Sequence, residues 1–407
     1  MNRRSFMLLM GASVLHLTGC RFPLDEGIWN PCLNQPLPQR LLNHGLVQRA
    51  WEGIDESKVW DCHAHLIGVG DGGYGIWLNP EMQSLGSPQQ FVQLKFYLNA
   101  ACVEDSENKD RAYVDHILSL MEALKPGVKL MLLAFDYHYD EQGKRIEAQS
   151  PFYTPNEYAA NLVKAYPDQF EWIASVHPYR EDCVDALEWA VKHGARAVKW
   201  LPPAMGMNPA SPLCDRFYNA MNRLNIPLLT HAGDEHAVKG KDAQALGNPL
   251  LLRRALEHGV RVVVAHCASQ GSNEDLDKGK GSGELSNFDL FSRMMDEPDH
   301  VGLLYGDISA MTQINRAGIA LETIIKRKEW HVRLLNGSDY PLPGVMPLFS
   351  LIQLQDYGYI REQDAPVLSN IRKYNPLLFD FVLKRHLQVD GQHLSREVFE
   401  TRRVFSS

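Results

Sequence analysis

Eight short runs rich in Val, Ile and Leu recur along the chain, at 58–62, 128–136, 171–176, 195–200, 226–230, 261–265, 301–307 and 332–336. Runs of this length that stay apolar throughout suit strands buried on both faces. Between them lie segments of helical period at 88–124, 155–166, 181–193, 212–224, 248–258, 284–297 and 315–328. Thr154-Pro155 and Ser211-Pro212 have the form of an N-cap followed by a first-turn proline, and Gly194 and Gly259 stand where helices end. Strand alternating with helix eight times is the sequence form of an α/β fold of the parallel (β/α)8 TIM-barrel type. The competing fold, an open doubly wound sheet, would normally carry a glycine-rich dinucleotide fingerprint or a P-loop, and neither occurs. Apolar runs at 345–354 and 377–387 predict an eighth helix and a C-terminal helical extension.

A chain of 407 residues, 45% hydrophobic and 22% charged, has the make-up to bury a large core, and α/β barrels of this size form one domain. We read that domain over 58–407. A formal charge of -8, with no basic stripe, excludes a nucleic-acid partner. The first residues set the compartment. Met1-Asn2-Arg3-Arg4-Ser5-Phe6 is a positive start, and the apolar run from Phe6 to Leu17 is too short to span a membrane as a mature helix. Leu17-Thr18-Gly19-Cys20 resembles the lipobox of bacterial lipoproteins, and Arg3-Arg4-Ser5-Phe6 resembles a twin-arginine export signal. These imply a signal peptide over 1–19 and a lipidated Cys20 holding the protein at the periplasmic face of the cell envelope. Arg21 after Cys20 favours the outer membrane. Pro23, Pro31, Pro36 and Pro38 suit a tether over 20–57. The other six cysteines are scattered without a CxxC pair, so no zinc ribbon or disulfide scaffold is indicated. Cys62 and Cys267 adjoin candidate ligands, and strand alternation would turn both away as buried, inert thiols.

In a parallel barrel the polar residues that end the strands converge on one face. Strand one ends in Asp61-Cys62-His63-Ala64-His65, where histidines two apart share a face. Strand five ends in His231, strand six in His266, and strand eight runs through Asn336-Gly337-Ser338 to Asp339. Each would be an isolated polar group at the edge of a buried run, a costly position that metal coordination relieves. Three imidazoles, His63, His65 and His231, with the Asp339 carboxylate suit one divalent ion, zinc above all, and leave a coordination position for water. Lys199 ends strand four. His138, His177 and Asp307 also follow strands, and Glu235 and His236 lie just beyond His231. We take His177, His236 and Asp307 as further candidates for contact with substrate, with an ordinary loop role as the alternative. The glycine-rich loop at 69–85 and the insertion at 271–286 fall on the same face, as lids or as solvated loops.

The ordered set His63-Ala64-His65, Thr230-His231-Ala232-Gly233, Ala265-His266-Cys267 and Gly337-Ser338-Asp339-Tyr340-Pro341 resembles the amidohydrolase superfamily, in its amidohydrolase-related branch of metal-dependent TIM-barrel hydrolases. Lys373-Tyr374-Asn375-Pro376-Leu377-Leu378-Phe379 resembles that branch's closing segment. The resemblance implies that His63, His65 and His231 bind the metal. Asp339 would bind it or accept a proton from water, and His266 would be an acid/base. A lysine at the place of Lys199 is carboxylated and bridges two metals in some members, so a second metal is the alternative to a substrate-contacting Lys199. The implied activity is hydrolysis of an amide, ester or lactone in a small molecule. The alternatives are a lyase on the same site, a nonoxidative decarboxylase or hydratase, and a lipid-anchored binding protein without catalysis. A strand-end arginine able to hold a substrate carboxylate would favour decarboxylation, and the sequence offers no clear one.

Overall fold

A computed structural model describes residues 24–235, 241–279, 281 and 283–406. The expected signal peptide, Cys20 and His236 lie outside the described residues. Strands β1 (Trp60–His65), β2 (Lys129–Leu133) and β3 (Phe170–Ile173) form one parallel sheet. β4 (Val198–Trp200), β5 (Leu228–His231), β6 (Val262–Ala265), β7 (Leu304–Asp307) and β8 (Leu334–Leu335) form another. Single bridges stitch the two seams. Ala174 pairs with Val198 between β3 and β4, and Ala64 pairs with Tyr340 between β1 and the segment after β8. At the second seam Cys62 N donates to Asn336 O at 3.1 Å. The strands follow one another in chain order around a (β/α)8 TIM barrel.

The core has two layers because strand side chains alternate. Trp60, Met131, Leu133, Ile173, Ala197, Leu229, Val263 and Leu335 fill the inside of the ring, together with Val404 and Phe405 from the C-terminal tail. The intervening Val198, Leu228, Val262 and Leu304 join the larger cluster under the surrounding helices. Two residues beyond Ala197, Leu229 and Tyr305 on the same face stand Lys199, His231 and Asp307, so the pleat itself delivers polar groups to the carboxyl end.

Three local expectations change. The helix predicted over 88–124 is two helices, Pro88–Ala100 and Lys109–Met121. The intervening segment is rich in acidic residues. A fresh helix start follows it, where Asn108 accepts from Arg111 N, and Asp71 from Lys109 N and Asp110 N. Cys102, at the break with φ of +56°, is disulfide-bonded to Cys32. Thr154 does not cap a helix, because its Oγ1 donates to Leu66 O at 2.9 Å and the helix starts at Asn156. The region read as a tether lies on the barrel from residue 24 onward. Leu37, Leu41, Leu46, Val47, Ala50, Trp51 and Ile54 join the outer core, and Trp51 stacks on Phe381 at 4.1 Å. The C-terminal helices are Ala365–Tyr374 and Pro376–His386. No helix among the described residues is long and apolar enough to cross a membrane.

Candidate metal centre

β1 is irregular where it meets the site. Its register against β2 shifts between Asp61 and Ala64, and Asp61 Oδ1 accepts from His63 N at 3.1 Å and Ser338 N at 2.8 Å. The bulge corrects one expectation. Cys62 does not turn outward but belongs to the barrel interior, while His63 also faces the site. Its thiol remains free, with a pKa raised by burial. Cys267 does turn toward the outer core, with Sγ 3.3 Å from Asp307 O. Gly337 permits the close seam between β8 and β1, since a Cβ there would fall 2.6 Å from His63 Cβ.

That seam brings Asp339 to the histidine pair. Asp339 N donates to His63 O at 2.7 Å, and Oδ1 stands 3.0 Å from His65 Nε2 and 3.5 Å from His63 Nε2. On the other side of the His63 ring, Nδ1 is 2.7 Å from Asp307 Oδ2. Donation of Nδ1–H to that carboxylate sets the tautomer and leaves the Nε2 lone pair toward Asp339. Lys199 Nζ lies 3.0 Å from the same Nε2. The His266 ring stacks on His63 at 5.1 Å; its Nδ1 is held by Ser309, 3.1 Å from O and 2.8 Å from Oγ. Its Nε2 faces Asp339 Oδ2 at 3.7 Å. Backbone strain gathers here, with positive φ at His266, Cys267, Ala268, Ala310 and Asp339, all at or just past the ends of β6, β7 and β8.

The electrostatics push the two buried carboxylates and the buried imidazoles alike downward. Burial alone would raise Asp339 and Asp307, but the histidines around them outweigh it and hold both below the usual carboxylate range. Burial lowers His63, takes His266 well below its ordinary value, and pushes His231 down to about 4. Lys199 is also lowered by burial, with Asp307 and Asp339 opposing.

Asp339 Oδ1 tests whether these residues suit a divalent cation. It is buried and has no hydrogen-bond partner of good geometry among the described residues, although two imidazole nitrogens stand before it. The ligand atoms of His63, His65 and Asp339 lie within 4.8 Å of one another. Two imidazole lone pairs facing a buried carboxylate oxygen are what a shared cation satisfies. A second trio, His63, His266 and Asp307, is already linked through Ser309. It supports the first.

The remaining candidates separate. His231 lies beside His266, their rings 5.6 Å apart, and its Nε2 faces Asp234 O at 3.2 Å and Glu235 at 3.8 Å. Asp307 faces His63 rather than open space. His177 is fully buried, with Nε2 on Met205 O at 2.9 Å and Nδ1 accepting from Tyr179 N at 3.1 Å. Both nitrogens are thus taken by backbone, which leaves none for a substrate. His138 Nδ1 likewise meets Ala204 O at 3.1 Å. The insertion after β6 is a hairpin of Ser272–Glu274 and Glu284–Ser286, tied down by Arg293 to Asp275 and Arg253 to Asp277.

Sequence reasoning missed Ser309 and Arg316. Ser309, two residues past Asp307, joins His63, His266 and Asp307. Arg316 fell at the start of the helix read over 315–328, but that helix begins at Ile319, and Arg316 lies in the loop after β7 with Asp339, Glu235 and Asp307 within its electrostatic reach.

A barrel with a trio of residues able to hold a cation at the carboxyl ends of its strands has the layout of an enzyme. The particular family follows from comparison: the model of the Amidohydrolase family matches residues 60–347, and the chain belongs to that family. No curated protein matches the sequence. Solved structures to which the chain is similar include an uncharacterised TIM-barrel protein from Bordetella bronchiseptica, 14% identical over 71% of this chain and 89% of that one, with a TM-score of 0.43. Another is 4-oxalomesaconate hydratase from Rhodopseudomonas palustris, 15% identical over 80% and 98%, with a TM-score of 0.40. A third is 2,6-dihydroxybenzoate decarboxylase from Rhizobium, 14% identical over 79% and 97%, with a TM-score of 0.40.

Proposed function

We propose that this enzyme hydrolyses an amide, ester or lactone bond in a small molecule, using one divalent metal ion with zinc as the best chemical match. His63, His65 and Asp339 would hold the ion, and the neutral His231 beside His266 is the fourth ligand we assign. Bound there, the ion would bring the pKa of water toward about 7 and polarise a carbonyl. The protein's own groups do the rest. Ionised Asp339 accepts the proton of the attacking water. His266, its Nδ1 fixed by Ser309 and its Nε2 facing Asp339, takes that proton from Asp339 and passes it to the leaving group. Lys199 supplies positive charge to the oxygen that becomes anionic. Its Nζ stands 3.0 Å from His63 Nε2, and we assign it as a free lysine beside one metal rather than a carboxylated bridge between two.

The observation that carries this reading is the orphaned Asp339 Oδ1 between two imidazoles. The test is turnover of a panel of esters, lactones, amides and carboxylated aromatics in ¹⁸O-labelled water. Label in the product is expected; carbon dioxide release without label would refute hydrolysis. Arg316 favours one second reading, a lyase such as a decarboxylase or hydratase, because an arginine near the centre can hold a substrate carboxylate. A binding protein without catalysis is disfavoured, since ligands and acid/base groups are all kept.

The protein is further proposed to be exported and lipid-anchored through Cys20 at the periplasmic face, the outer membrane being favoured. The Cys32–Cys102 disulfide supports an oxidising compartment. C20S should leave the membrane fraction, and its retention there would count against the anchor.

A further inference from the structure

Ten large apolar side chains are exposed among the described residues, and four of them, Leu24, Ile319, Ile352 and Tyr357, gather on one face, between 50% and 82% exposed. Hydrogen bonds and ring contacts join them. Asp25 Oδ2, one residue past Leu24, accepts from Ile352 N at 3.1 Å. Ile352 lies in the first turn of the helix Leu351–Asp356, and the next residue, Gln353, donates from Nε2 to Ile314 O at 3.2 Å and Tyr357 Oη at 3.3 Å. The Tyr357 ring lies 5.3 Å from that of Tyr359, whose Oη donates to Glu322 Oε1 at 2.7 Å. Glu322 and Ile319 stand about one turn apart on the same side of the helix Ile319–Lys326. The other six exposed apolar residues lie on other segments, so this cluster is a patch and not the ordinary scatter of a surface.

The start of the described chain indicates what covers the patch. Leu24 stands four residues after Cys20. That link reaches at most about 14 Å when fully extended, against a radius of gyration of about 21 Å for a globule of this length. A lipid on Cys20 therefore leaves this face, and not the opposite one, beside the bilayer. We infer that Leu24, Ile319, Ile352 and Tyr357 form a docking face that seats the barrel on a lipid surface. The inference rests on the anchor reading of Cys20 and extends it from attachment by a short chain to a fixed orientation on the membrane. The chemistry suits an interface: Leu24, Ile319 and Ile352 leave water for the acyl boundary, while Tyr357 keeps its hydroxyl at the level of the headgroups. The exposed charges beside them, Asp25 and Asp356, are acidic, so apolar burial holds the face and attraction to anionic lipid does not. Ile319 follows Arg316 by three residues, and the docked face thus borders the loop after β7 and turns that side of the barrel mouth toward lipid.

The test is fluorescence of an environment-sensitive label on I319C or I352C in the lipidated protein on phosphatidylcholine vesicles, with L213C as the control on a distant segment. Brominated phosphatidylcholine is expected to quench the labels at positions 319 and 352 by about twofold or more, at low and high salt alike, and to leave the label at position 213 unchanged. Adding I319D and Y357D to I352C should remove about half or more of the quenching while the protein still floats with the vesicles. Equal quenching at positions 213 and 352, or none at 352 on protein that floats, overturns the docking face and leaves the anchor standing. A label at position 352 that is shielded from water without quenching by bromine assigns the face to a second copy of the chain and also overturns the proposal. Protein that carries no lipid on Cys20 and does not float removes the anchor and the docking face together.

Discussion

Asp307 and His63 are joined by a 2.7 Å contact that decides what the other side of the imidazole can do. Replacing the carboxylate by an amide removes the charge that holds Nδ1 protonated and Nε2 free. D307N should therefore weaken metal binding by about 10–100-fold in a chelator competition while the fold survives; unchanged affinity would show that Asp307 does not act through His63. His177 has a different role, and acid reveals it. Burial pushes its folded pKa down to about 3, against about 6.5 for an unfolded histidine. Between those values the unfolded chain binds more protons, so stability is whole above about pH 6.5 and falls as pH drops, by up to about 5 kcal/mol. In denaturant titrations across that window H177Q should show a shallower loss than the parent; parallel curves would contradict a neutral buried His177. At this scale the sequence signal was a polar residue that ends an apolar run, which marked the groups gathered at the site but also His177, which is held by backbone instead. His63, His65, Lys199, His231, His266 and Asp339 all stood out that way. Arg316 did not, because the sequence placed it at the start of a helix rather than in the loop that carries it to the site, and the saturation of His177 by backbone groups is a tertiary fact.

At the scale of elements, the N-terminal arm shows what composition conceals. Its prolines suggested a tether, yet Leu41, Leu46, Val47 and Trp51 lie in the core, and Cys32 is bonded to a cysteine 70 residues away. Neither the packing nor the pairing has a local signature. Closing a loop of that length constrains the unfolded chain by about 4 kcal/mol. The C32S/C102S protein should lose stability of that order in denaturant titrations, with metal content kept, because the bond lies apart from the proposed ligands. Stability equal to the parent would mean the arm is held by apolar contacts alone. The broken helix after β1 and the bulge within β1 were hidden for the same reason, since both answer to groups distant in sequence. Strand and helix order was readable because each apolar run is bounded by a helical stretch.

Across the whole molecule the barrel separates two jobs. One end of the ring interior is plugged by Trp60, Val404 and Phe405, and the other presents the histidines and carboxylates. Between them Lys384, buried on the helix Pro376–His386, donates to Gly337 O and Asp380 Oδ2, each at 2.7 Å. The C-terminal extension thus braces the seam that carries Asp339. The central claim is that this seam and the end of β1 build a metal centre. The most direct measurement is elemental analysis of protein purified without chelator, beside H63N and D339N. The account predicts about one equivalent of divalent metal in the parent protein, with zinc foremost, and a large loss in both variants of unchanged fold. A folded, active parent without stoichiometric metal, or variants that hold it undiminished, would contradict it.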